Sequence, residues 1–97
     1  MVTASVKGTV IAESDSTIVV EGNQYFPPSA IKKESFQPAT SQLTTHCPWK
    51  GDASYYDIKV GDELIPDAAW YYPNAFEKAK NIENYVAFYK NKVDVKE

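Results

Sequence analysis

Arginine is absent from this 97-residue chain, and all ten basic residues are lysine. Bidentate recognition of a phosphate or carboxylate is thereby excluded, because only a guanidinium presents the planar fork. The lysines form no block, and thirteen acidic residues leave a net charge of −3 with a pI of about 5.1. A duplex nucleic acid needs clustered cations to neutralise its phosphates, so no nucleic-acid partner is expected. Cysteine and histidine occur once each. One Cys excludes an intramolecular disulfide and suits a reducing, cytoplasmic compartment. One Cys and one His cannot supply the roughly four ligands of a structural zinc, and no metal or other cofactor is expected. Every apolar run falls far short of the roughly 20 residues that span a bilayer. The segment Met1–Ser5 also lacks a basic region followed by an apolar stretch, so neither a membrane partner nor a secretory signal is expected. The chain contains no internal repeat.

What is abundant is aromatic. Thirteen of the 97 residues are Phe, Tyr or Trp, so much of the core or of a pocket wall must be aromatic. The length accommodates one domain, residues 1–97. Hydrophobicity mostly alternates. Ala4, Val6, Gly8, Val10 and Ala12 share one face of a predicted strand, and Thr17–Glu21 reads as a second strand pairing with it after a turn at Asp15-Ser16. Tyr25-Phe26-Pro27-Pro28 is extended, and Ser29 is placed to cap a short turn through Lys33. Residues 36–43 read as a loop with a short extended piece at Phe36. Ser54, Tyr56, Ile58 and Val60 alternate with Tyr55, Asp57 and Lys59, and Gly61-Asp62 signals a hairpin turn. The returning strand, Leu64 to Tyr72, carries Trp70 and Tyr72 on the face opposite Tyr71, and Pro66 marks a break or edge. Asn74 and Glu77 resemble a capping box for a short helix over Ala75–Asn81. Tyr85–Tyr89 fits either a strand or more helix, and Val93–Val95 a short edge strand. The fold class expected is all-β: an antiparallel rolled sheet or small barrel of six to eight short strands with one short helix.

Chemistry concentrates in Thr44–Gly51, which holds the only Cys, the only His, Trp49 and a Lys-Gly pair. Pro48 and Gly51 keep this segment from being a plain helix or strand. It either presents reactive groups or makes a tight structural corner. Cys47 is a buried small hydrophobe on one reading and a thiolate activated by Lys50 or His46 on the other. His46 and Cys47 are adjacent on an extended segment and point to opposite faces, which disfavours a direct pair.

Four motifs together resemble the domain-of-unknown-function family numbered 427. They are Tyr25-Phe26-Pro27, Thr45-x-Cys47-Pro48-Trp49-Lys50-Gly51-x-Ala53-x-Tyr55, Ala69-Trp70-Tyr71-Tyr72-Pro73 and Ile82-x-x-Tyr85-Val86-Ala87-Phe88-Tyr89. The resemblance covers nearly the whole chain and implies a compact, mostly antiparallel β fold of uncharacterised function, sometimes labelled a nucleotidyltransferase domain. Nucleotidyl transfer ordinarily uses two or three carboxylates to hold Mg²⁺ on the phosphates. Asp57 and Asp62-Glu63 do not form that set, and no Gly-x-x-x-x-Gly-Lys loop is present.

Three function classes follow. The first is a module binding a small, anionic ligand in an aromatic pocket near Thr45–Gly51. Its ligand-binding residues would be Thr45, Lys50, Gly51, Tyr55, Trp70 and Tyr72, with Lys50 fixed at the pocket mouth. The second is an enzyme with Cys47 as catalytic nucleophile or redox thiol, or a nucleotidyltransferase as the family label suggests. The third is a protein-interaction module, a monomer or homodimer with an aromatic docking face.

Overall fold

The computed structural model describes Met1–Glu97. Ten strands form three antiparallel sheets: β1 (Val2–Val6), β2 (Thr9–Ser14), β3 (Ile18–Val20), β4 (Asn23–Tyr25), β5 (Phe36–Pro38), β6 (Thr44–Cys47), β7 (Gly51–Val60), β8 (Glu63–Tyr71), β9 (Val86–Phe88) and β10 (Asp94–Lys96). The central sheet runs β5-β7-β8-β9, with β6 pairing β7 beyond the end of β5. A three-stranded sheet, β10-β1-β2, and the β3–β4 hairpin complete the domain. The architecture is the antiparallel rolled sheet that the alternating pattern predicts, without a closed barrel. No helix is long and apolar enough to cross a membrane.

The first run of alternation is two strands, not one. Lys7 and Gly8 have φ of 48° and 81°, the double left-handed turn that a two-residue hairpin requires. The predicted pairing of this run with Thr17–Glu21 is also corrected: β1 pairs β2, and β3 pairs β4. Val86–Phe88 is a strand against β8, which settles the ambiguous Tyr85–Tyr89 segment. Both expected caps are absent. The turns at Pro28–Ala30 and Glu77–Ile82 are 3-10 helices with no side-chain cap, and Ser29 lies inside the first of them. Asn74 and Glu77 form no capping box because Phe76 occupies the cap position.

Side-chain parity on the central sheet divides the molecule. Register places Tyr56, Ala69 and Phe88 in one row and Tyr55, Trp70 and Ala87 in the next. The first row joins Ile58, Val86 and Phe26 against Ala4, Val6, Ile11 and Ala12 of the small sheet. Phe26, fully buried there, contributes about 1.5–3 kcal/mol by leaving water. The second row joins Ala53, Tyr25, Tyr72, Ala75, Ala79 and Ile82 beneath the β3–β4 hairpin. Two irregularities break the parity. Between β1 and β2 the register shifts at Ala4/Ser5, so Ile11 and Ala12 both point inward. Between β7 and β8 it shifts at Tyr56/Ile58, opposite Pro66.

Candidate functional site

The Cys-Pro-Trp-Lys-Gly motif is a hairpin. β6 pairs β7 with Cys47 opposite Gly51, so Pro48, Trp49 and Lys50 form its three-residue tip. Gly51 has φ of 116°, and a Cβ built there would lie 3.1 Å from the Asn74 carbonyl oxygen. The Phe76 amide donates to the Lys50 carbonyl at 2.9 Å. Gly51 thus lets the segment after β8 dock on the hairpin, rather than facing open space.

Lys50 is the one buried lysine, 6% exposed, while the other nine are exposed. Its Nζ lies 4.8 Å from the Trp49 ring centroid and 5.8 Å from that of Tyr72, within cation–π range. It donates to the carboxylate of Glu21, which projects from the β3–β4 turn. Burial pulls the Lys50 pKa down, but the Glu21 hydrogen bond and the neighbouring Tyr25 and Cys47 outweigh it and hold it above the ordinary value. The Lys50 hydrogen bond holds Glu21 below the usual carboxylate range. Lys50 is therefore a permanently charged, partnered ammonium.

The other motif side chains gather on the same face of the sheet. Trp70 Nε1 donates to the Tyr25 hydroxyl at 3.1 Å, Thr45 Oγ1 and the Tyr55 hydroxyl are 3.0 Å apart, and Tyr89 donates to Tyr55 at 3.4 Å. The Tyr55 contact pushes the Tyr89 pKa up to about 12. Burial raises that of Tyr72 further. Cys47 packs, half-buried, against the same cluster. His46 turns away, with Nδ1 at 2.7 Å from Asp52 Oδ1. Replacing Tyr25 by Phe leaves the Trp70 indole N–H without its acceptor and costs about 1 kcal/mol. A double-mutant cycle with Trp70→Phe, read by urea unfolding, should return a coupling of that size. A coupling below about 0.3 kcal/mol would show the bond adds nothing to stability.

None of the three cavities is lined by Cys47, Lys50, Trp70 or Tyr72. The largest, about 440 Å³, opens at the edge of the opposite sheet face. It is lined by Pro28, Ile31, Lys33, Phe36, Tyr56, Tyr71, Asn84 and Val86. Tyr56 and Tyr71 stack there with centroids 4.5 Å apart, and Phe36 meets Tyr56 edge-on at 5.6 Å. Burial raises the Tyr56 pKa. A cavity of about 200 Å³ shares Tyr71 and is lined also by Thr44, Ser54 and Tyr55. The aromatic face thus runs from Lys33 to the edge of the motif hairpin.

Of these residues, Tyr71 was separable from Trp70 by alternation alone. Lys33, Phe36 and Asn84 lie in segments without a period, and Glu21, 29 residues from Lys50, carries no local signal.

Fold and site together define a small antiparallel β domain with aromatic side chains on both faces of one sheet. Over residues 1–97 the chain matches the family described as domain of unknown function DUF427, labelled NTP_transf_9, and it belongs to that family. A search of the curated proteins found no match. No group of three or more His, Cys, Asp or Glu side chains is placed to hold a metal ion. Asp57 is buried and committed to Thr40 and Asp67.

Proposed function

We propose that the domain is a small-molecule binding module whose ligand is planar, largely apolar and singly anionic. The observation that carries this reading is the cavity of about 440 Å³, with five hydrophobic residues among its eight. Its size falls in the lower part of the range of ligand clefts, roughly 300–1,000 Å³. The stacked Tyr56–Tyr71 pair offers a π-surface to a flat ligand. Lys33 takes part in none of the five ion pairs and supplies the cation at the rim. Asn84 adds an amide that donates and accepts. The motif hairpin flanks the far end of this aromatic face, where Thr44 and Tyr55 reach the smaller cavity.

Titration with 8-anilinonaphthalene-1-sulfonate, a planar apolar anion that brightens in apolar sites, tests the proposal. Tyr71→Ala should weaken binding about tenfold, equivalent to roughly 1.4 kcal/mol. Lys33→Glu should weaken it about threefold at low salt and less at high salt. If both variants bind within twofold of the parent, the cavity is not the ligand site.

Other readings have less support. For an enzyme built on Cys47, His46 is engaged by Asp52 and Lys50 by Glu21, leaving the thiol without a paired base. For an interaction module, the exposed large apolar residues, Met1, Val19, Leu43, Trp49, Leu64, Phe76 and Tyr89, are spread over separate segments of the chain.

A further inference from the structure

A second locus, on the opposite face of the central sheet, has the chemistry of a carboxylate site. Lys50 is a buried ammonium on a chain whose other lysines are all exposed. Its counter-ion is not buried with it: the Glu21 side chain is 57% exposed and that of Lys50 7%. Glu21 occupies the first left-handed position of the β3–β4 turn, with φ of 53°, followed by Gly22 at 79°. The carboxylate thus arrives from outside, over the rim, onto a fixed cation.

One donor meets it there, the Lys50 ammonium. The rings of Trp49 and Tyr72 flank the ammonium. A single buried cation matches the single charge of a monocarboxylate. It does not match a phosphate dianion, which would need further cations that no arginine or second buried lysine supplies.

We infer that the Lys50 ammonium, flanked by the rings of Trp49 and Tyr72, is a binding site for a small organic monocarboxylate, held in the free protein by the Glu21 side chain as an internal stand-in. Exchange requires only that Glu21 rotate into solvent. The hairpin backbone stays anchored, because Tyr25, Ile18 and Val20 pack into the core beneath it. Lys90 Nζ also holds the Gly22 carbonyl at 2.7 Å. The internal carboxylate weakens an external one in proportion to the fraction of molecules in which Lys50 is free. With Glu21 engaged about nine-tenths of the time, its removal raises affinity about tenfold.

The inference stands apart from the proposed cavity, and its test reads different residues. Acetate and inorganic phosphate are titrated separately into the parent, Glu21→Ala and Glu21→Gln proteins at neutral pH, following the Trp49 indole N–H resonance. Glu21 is exposed, so both variants should keep the parent's dispersed spectrum. Glu21→Gln retains an acceptor for Lys50 should the alanine variant fold poorly. Acetate should bind Glu21→Ala at least tenfold more tightly than the parent and Glu21→Gln to an intermediate degree, moving Trp49 while leaving Tyr56 and Tyr71 unshifted. Lys50→Met in the Glu21→Ala background should abolish the effect. Acetate affinity unchanged in the folded variants would overturn the inference. A gain shared equally by phosphate would overturn the carboxylate assignment. A response at Tyr56 and Tyr71 instead of Trp49 would place binding in the cavity and overturn the site.

Discussion

Replacing Asp57 by Ala should lower the unfolding free energy by about 3 kcal/mol, a large share of the 5–15 kcal/mol that stabilises a typical domain. The reason lies in the break between β7 and β8. Pro66 has no N–H to give the ladder, and the register jumps from Tyr56↔Ala69 to Ile58↔Ile65. Asp67 is carried into the left-handed region, with φ of 50°. The Asp57 carboxylate fills the gap. It accepts from the Asp67 amide at 2.9 Å and from the Thr40 amide and hydroxyl at 3.1 Å each. Asp57 is fully buried, so Ala leaves the Asp67 and Thr40 donors without their acceptor. Thr40 is exposed and can turn to water, which is why the loss stays near 3 kcal/mol rather than higher.

The same site sets a pH dependence. Burial alone would raise the Asp57 pKa, but the three hydrogen bonds outweigh it and hold the group below its ordinary value. A folded pKa below the unfolded one means stability that is fully present above the unfolded value, about 3.9, and lost as pH falls through the folded value. Asp57→Asn, which cannot ionise, should therefore differ from the parent at pH 7 and converge on it in strong acid. Urea midpoints at pH 7 and below pH 3 check both statements. A pH-independent difference would mean that carboxylate ionisation is not what holds this junction.

Asp57 also marks the limit of what a pattern can disclose. The alternation from Ser54 to Val60 does identify β7, and Gly61 at φ of 60° makes the turn its sequence signals. The opposite facing of Trp70 and Tyr71 is likewise a plain consequence of period two. Bulges defeat that rule. One extra residue turns both Ile11 and Ala12 inward, and the jump at Asp57 hides a buried carboxylate among residues that read as a solvent face. Gly8 fits the apolar phase of a single strand, so the Lys7-Gly8 turn is invisible until its dihedrals are seen. Three residues of β6 are exposed, and no hydrophobic period exposes such a strand. Convergence of Thr45, Cys47, Lys50, Tyr55, Trp70 and Tyr72 follows from the hairpin that aligns Gly51–Tyr55 with Trp70. The partner of Lys50 does not follow, because Glu21 reaches it across tertiary space from another hairpin.

Gly51→Ala is the second large effect expected, a loss of about 2–3 kcal/mol. Two costs combine at this position. The backbone has φ of 116°, where an L side chain is strained, and the new methyl would meet the Asn74 carbonyl oxygen at 3.1 Å. That oxygen belongs to backbone and cannot rotate aside. Relief would have to come from moving the segment after β8, which breaks the 2.9 Å bond from the Phe76 amide to the Lys50 carbonyl. Gly22 separates the two costs. Its φ is 79°, but nothing lies within 4 Å of a Cβ built there. Gly22→Ala should therefore cost only the left-handed strain, about 1 kcal/mol. Urea unfolding of both variants gives the difference, and amide hydrogen exchange at Phe76 gives its location. Faster exchange at Phe76 in Gly51→Ala, and not in Gly22→Ala, is the expected signature of a displaced loop. Equal losses in the two variants would mean that the close approach of Asn74 is immaterial and that Gly51 serves the hairpin turn alone.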